Sequence, residues 1–111
     1  MALFMLQGKY SPEAVKAIFD SGTDREAAAR KVIEAAGGKL LGFYGMFGQD
    51  YNVLVIAEMP GNAEYIATIG TVLRTGTFQD WKTVPLFTSA ELMQATEVSA
   101  RIRSDYSPPG S

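Results

Sequence analysis

The sequence predicts an α+β fold whose strands and helices follow the order βαββαβ, with one further helix at the C-terminus. Strand-like runs of apolar and aromatic residues lie at 2–9, 39–47, 51–59 and 77–87, and stretches with helical spacing of apolar residues separate most of them. A glycine-containing turn joins the second run directly to the third, so these two strands form an antiparallel hairpin. The hairpin excludes a doubly wound parallel sheet.

The first strand is followed by a helix with a clear start signal. Residues 2–9 form an apolar strand, after which Ser11 supplies an N-cap and Pro12 occupies the first helical position, where its missing N–H costs nothing. The helical pattern stops at residues 20–22, which end in glycine.

A second helix restarts at a predicted capping box. Thr23 and Glu26 have the spacing of a reciprocal cap, and the glycines at 37–38 occupy the usual position after a helix C-terminus. The two hairpin strands follow directly, joined by the turn at 48–50.

The second half of the chain adds a helix, a strand and a final helix. Residues 60–62 break the third strand before the helix begins. In the last strand Pro85 cannot donate a ladder hydrogen bond, which places that strand at a sheet edge. Thr88 and Glu91 form another capping-box pair, which opens a C-terminal helix running to about Val98.

This order of elements is typical of a ferredoxin-like sandwich, in which the main helices cover one face of a four-stranded sheet. Within 53–57 and within 2–6 both alternating sets of residues are apolar, so both faces of these strands are expected to be buried. The helices cover only one face. We therefore expect a homodimer through the open sheet face, in which two sheets enclose a dimeric α/β barrel.

Composition limits the chemistry and the partners. The chain has 111 residues, which suits one domain over residues 1–98 with the end of the C-terminal helix and a loose tail at 99–111. It contains no cysteine and no histidine, so we expect no metal site and no cofactor held by thiolate or imidazole. The net charge is −2 and the basic residues are scattered, so nucleic acid is not expected as a ligand. No apolar run is long enough to span a membrane, and we expect a cytoplasmic protein.

The hairpin and its neighbours resemble the GYD domain family over roughly residues 2–95. The resemblance implies a dimeric α/β-barrel protein, in a family whose biochemical function is largely uncharacterised. The sequence departs from the family pattern at Asn52, where aspartate is usual. The matching segments are Lys9-Tyr10, Asp24-Arg25-Glu26-Ala27, Gly37-Gly38-Lys39-Leu40, Leu41-Gly42-Phe43-Tyr44, Tyr51-Asn52, residues 53–58 and Leu86-Phe87-Thr88.

Aromatic residues supply the first candidate site. Phe43, Tyr44, Phe47 and Tyr51 are placed to line a small-molecule cleft between sheet and helices, with the tyrosine hydroxyls and Asn52 orienting a ligand. The alternative is ordinary core and interface packing, since aromatic residues are common in strands.

Trp81 supplies the second candidate site. Simple alternation places Phe78, Asp80 and Lys82 on one face of the last strand and Trp81 on the other. The indole can stack on a planar ligand between an acid and a base, or it can pack beneath a helix or a partner subunit.

Three functions are compatible with these observations. The first is a homodimer that binds a small apolar or aromatic metabolite, with no catalytic residue assigned. The second is a cofactor-independent monooxygenase or isomerase that stabilises an enolate-like intermediate with Tyr44, Asn52 and Trp81. The third is a purely structural interaction domain. A cavity of a few hundred cubic ångströms lined by Tyr44 and Trp81 would favour the first two, and a filled core the third.

Overall fold

A computed structural model describes residues 1–110 of the chain. It confirms the predicted order of strands and helices, and divides the segment after the first strand into two helices. The elements are β1 (Ala2–Tyr10), α1 (Pro12–Ser21), α2 (Arg25–Ala35), β2 (Lys39–Gly45), β3 (Val53–Met59), α3 (Asn62–Leu73), β4 (Phe78–Leu86), α4 (Ser89–Ile102) and a short 3₁₀ helix (Arg103–Asp105).

The strands form one antiparallel sheet in the order β2-β3-β1-β4. This arrangement confirms the ferredoxin-like α+β fold, and it confirms that β4, which contains Pro85, lies at an edge. The sheet of the single chain is open. The barrel part of the expectation depends on a second copy and stays a prediction.

One face of the sheet, the helix face, carries the core. The register places Phe4 opposite Ala57 and Leu6 opposite Val55, and residues at these alternating positions pack with Ile33 and Val32 of α2. Successive side chains of a strand point to opposite faces of the sheet. In β1 and β3, one set of alternate side chains therefore lies beneath the helices and the other set points away from them. The buried apolar residues are Phe4, Tyr10, Ile33, Leu40, Val53, Val55, Ala57 and Met59.

The opposite face of the sheet, which we call the open face, carries apolar residues at its centre that are less buried. Met5 lies opposite Ile56, and Gln7 lies opposite Leu54. Val84 of β4 extends the row beyond Met5. All five side chains are only half-buried in the chain as described.

The start of α2 differs from the sequence prediction. The Thr23–Glu26 capping box is wrong, because Asp24 is the N-cap residue and its Oδ1 accepts a hydrogen bond from the Ala27 N–H at 3.1 Å. The Glu26 carboxylate instead pairs with Arg30 at 2.9 Å. A carboxylate cap also interacts favourably with the positive end of the helix dipole, which threonine does not.

The other predicted caps are confirmed. The Ser11 hydroxyl accepts from the Ala14 N–H at 3.1 Å, and both bonds of the Thr88–Glu91 capping box are present. However, α4 continues past Val98 to Ile102. Residues 99–102 contain alanine and arginine, which favour a helix, and no glycine or proline ends it earlier.

The hairpin is confirmed, but its strands are shorter than predicted. Residues 46–52 form a loop in which the Met46 N–H donates to the Asn52 carbonyl at 3.0 Å and Gly48 adopts a φ of 99°. The Asn52 N–H donates to the Gly8 carbonyl at 2.9 Å, so the end of the loop is held by β1.

An irregularity in β4 corrects the predicted alternation of that strand. Lys9 pairs with Asp80 but Tyr10 pairs with Phe78, so Gln79 is skipped in the register. The Phe78 ring consequently packs against the core beside Tyr10, and it does not share a face with Asp80.

Candidate functional site

A cavity of about 280 Å³ lies between the helix face of the sheet and the helices α2 and α3. Its walls come from four strands and two helices, and most of the lining side chains are apolar. The residues that shape its centre are Phe4, Leu6, Ala29, Val32, Phe43, Val55, Ala57, Ile69 and Val72.

Small side chains leave this space open. Ala28 and Ala29 of α2 face the cavity, as does Ala57 of β3, whereas Phe4 and Tyr65 stack with ring centroids 4.3 Å apart. The Tyr65 hydroxyl lies 2.5 Å from the Thr83 hydroxyl of β4, so this side chain ties α3 to the sheet edge. The short side chains of the three alanines leave part of the space between the sheet and α2 unfilled.

Tyr10, Arg25 and Phe78 also line the cavity, and Tyr10 and Arg25 bring polar groups to it. The Tyr10 ring packs on Phe78 with centroids 5.4 Å apart, and its backbone N–H donates to Asn52 Oδ1 at 3.0 Å. Arg25 is the first residue of α2 and is half-buried. The end of β1 and the start of α2 thus bring a phenol and a guanidinium to one cavity.

The two lining tyrosines remain protonated near neutral pH. Burial raises the pKa of Tyr10 above its ordinary value, and the nearby Arg25 guanidinium, which lowers it, only partly offsets this effect. Burial likewise raises the pKa of Tyr65, against a smaller lowering by its hydrogen bond to Thr83. The Tyr10 hydroxyl can therefore donate a hydrogen bond to a ligand, whereas the Tyr65 hydroxyl is paired with Thr83.

Ionisable groups other than these are sparse at the cavity. Among the described lining residues Arg25 is the one with a formal charge at neutral pH, and none is aspartate or glutamate. No group of three acidic side chains within residues 1–110 is placed to hold a metal ion. The arrangement suits the binding of a molecule with a large apolar part and one polar end.

Phe43 is the predicted site residue that lines the cavity. Tyr44 follows it on β2 and turns to the open face, where it is 62% exposed and its ring lies over Gly42. Because neighbouring residues of a strand point to opposite faces, Phe43 lines the cavity and Tyr44 lies on the open face.

The other four predicted site residues lie outside the cavity lining. Phe47 lies in the loop after β2 and is 64% exposed. Tyr51 is half-buried in the loop after β2, and Asn52 acts through its bonds to Tyr10 and Gly8. Trp81 lies on edge strand β4 and is 45% exposed. The structure does not bring Tyr44, Asn52 and Trp81 together.

The prediction of a site missed Tyr10, Arg25 and Tyr65. Tyr10 and Arg25 both belong to segments that carry the family resemblance, Lys9-Tyr10 and Asp24-Arg25-Glu26-Ala27, and this was the available signal. The periodicity of the sequence does not show that Tyr10 and Arg25 lie close together, because they approach each other only when α2 packs on β1.

The model of the GYD domain family matches residues 4–96. A search of curated proteins found no match. In residues 1–110 no helix combines the length and the apolar character needed to cross a membrane. The match extends from β1 into α4 and includes every element that builds the cavity, so the chain belongs to the GYD domain family.

Proposed function

We propose that this protein is a homodimer that binds a small apolar or aromatic molecule in the cavity between the sheet and helices α2 and α3. The observation that carries the proposal is the cavity itself, with a volume of about 280 Å³ and mainly apolar walls. Protein interiors contain few voids larger than a water molecule, and an unfilled apolar wall gives up van der Waals contacts. A ligand would restore those contacts, which favours binding over a purely structural role.

Placement of side chains favours binding over the enzymatic alternative. Tyr44 lies on β2 and Trp81 on β4, at opposite edges of the sheet and therefore about 14 Å apart at the usual strand spacing. The Asn52 side-chain oxygen already accepts a bond from the Tyr10 backbone. A reaction that needs all three groups at one intermediate has no common site within a single chain.

The open face supports the homodimer. It carries a contiguous apolar row across three strands, which no described residue buries fully. Contiguous exposed apolar patches mark interaction surfaces. A second copy presents the same row, so a twofold axis would let each sheet cover the other. The row consists of Leu3, Met5, Leu54, Ile56, Val84 and Leu86.

Helix α4 supports the same assembly. All of its 14 residues are exposed, including Leu92, Met93, Val98 and Ile102. An isolated helix of this length is only marginally stable in water, so its apolar side chains need a partner. The radius of gyration is 17.9 Å, against about 13 Å for a compact domain of this size, because α4 projects from the rest of the chain. We propose that α4 packs on the second copy.

Filling the cavity should remove binding. We expect indole, used as a small aromatic probe, to bind the wild-type protein saturably in calorimetric titrations. Ala29→Phe places a ring in the space that indole would occupy and should weaken binding at least about tenfold. Ala27→Phe is the matched control, since Ala27 is exposed on the same helix. Equal indole affinity in the two variants would refute the cavity as the site.

A further inference from the structure

The half-buried Arg25 has no acidic partner within residues 1–110. The ion pairs in this part of the chain join Lys16 to Asp20 and Arg30 to Glu26, both on helix surfaces. Arg25 takes part in neither, although it lines the cavity. Its guanidinium therefore offers a positive charge at the cavity that no carboxylate of the described residues neutralises.

Tyr10 supplies a hydrogen-bond donor beside that charge. Its ring is fixed between the core and Phe78, and its backbone is fixed by Asn52. Its hydroxyl is protonated near neutral pH, as in an ordinary tyrosine, and burial raises its pKa further. Tyr10 therefore offers an O–H donor and Arg25 offers N–H donors to a ligand. None of the described lining residues has a carboxylate that would compete for these donors.

The rest of the cavity wall is mainly apolar, and this limits the chemical groups that can be attached to a bound anion. Phe4, Val32, Val55 and Val72 line the same space. A ligand that reaches both parts must combine a charged end with an apolar body. The guanidinium fork matches the two oxygens of a carboxylate. A dianionic phosphate would bring a second charge for which the described lining offers no second cation.

We infer that the ligand of this cavity is a small apolar monocarboxylate, whose carboxylate binds Arg25 and the Tyr10 hydroxyl while its hydrocarbon part lies against the apolar wall. This inference rests on the proposed binding function and specifies the class of molecule that is bound.

Octanoate and octanamide test the inference as a matched pair, because they share a hydrocarbon chain and differ in charge at the polar end. Both are titrated into the wild-type protein at neutral pH, and their dissociation constants are measured by calorimetry. We expect octanoate to bind at least about tenfold more tightly, since hydrogen bonds to charged groups are stronger than neutral ones.

Two variants test whether Arg25 causes the difference in affinity between octanoate and octanamide. Arg25→Met removes the charge and keeps a long side chain that favours a helix, so it should weaken octanoate binding at least about tenfold and leave octanamide binding within about twofold. Retained octanamide binding shows that the cavity is intact. Lys31→Met is the control, because it removes a positive charge from an exposed position of α2 that does not line the cavity.

The outcomes separate this inference from the function on which it rests. Two results would refute a carboxylate ligand and leave an apolar binding site. One is equal affinity of the wild type for octanoate and octanamide, and the other is an equal loss of octanoate binding in Arg25→Met and Lys31→Met. Failure of both molecules and of indole to bind would overturn the binding function as well.

Discussion

Gly38→Ala is expected to lower the free energy of unfolding by about 2–4 kcal/mol, a large effect for the addition of one methyl group. A Cβ at this position would lie 2.6 Å from the Glu58 carbonyl oxygen and 2.6 Å from the Met59 sulfur. The carbonyl belongs to the backbone of β3, and Met59 is 1% exposed in the core. Neither can move without disturbing the contact between the start of β2 and the sheet.

Gly70→Ala is the matched control for this prediction. Gly70 lies inside α3, and a Cβ there would meet no heavy atom within 4 Å. Alanine in a helix interior is favoured over glycine, so this variant should gain about 0.5–1 kcal/mol. Urea denaturation of both variants measures the two effects. If Gly38→Ala were as stable as the wild type, the close approach of Gly38 to β3 would be wrong.

Ile56→Lys is expected to convert a dimer into a monomer. Ile56 lies on the open face opposite Met5 on one side and Gly42 on the other, so a lysine there would place a charge at the centre of the proposed interface. An unpaired buried charge is costly, and separation of the subunits returns it to water. Sedimentation equilibrium should show a wild-type mass of twice 12.0 kDa and a variant mass of 12.0 kDa.

The control for assembly is Ala67→Lys, which adds the same charge at an exposed position of α3. It should leave the wild-type mass unchanged. A wild-type mass of 12.0 kDa at micromolar concentration would contradict the homodimer, and so would a variant Ile56→Lys that keeps the wild-type mass.

Features that depend on neighbouring residues were predictable from the sequence. The Ser11 cap and the Thr88–Glu91 capping box each need only a few consecutive residues, and Pro85 restricts its own strand. The choice of Asp24 over Thr23 as N-cap was not predictable in this way, because two adjacent residues both suit that position.

Features that depend on register were not predictable. A shift between Leu40 and Gly42 and another between Lys9 and Tyr10 decide which side chains face the cavity. Such irregularities change the face of every residue beyond them, so counting alternate positions fails there. The second shift brings Phe78 to the core, although simple alternation placed it with Asp80.

The candidate site was only partly predictable for the same reason. Phe43 was assigned to a cleft between sheet and helices, and it lines the cavity there. The pairing of Tyr10 with Arg25 depends on how α2 packs against β1, and no spacing along the chain encodes that contact. Ala29 and Ala57 both line the cavity, and the space beside their short side chains becomes apparent only in the three-dimensional packing.

Binding of a small molecule in the cavity between the sheet and helices α2 and α3 is tested most directly by valine methyl signals in NMR spectra. Val32, Val55 and Val72 line the cavity, whereas Val84 lies on the open face and Val98 on α4. On titration with indole we expect saturable shifts at the first three, with the last two nearly unchanged. Absence of shifts, or shifts that are largest at Val84 and Val98, would contradict binding in the cavity.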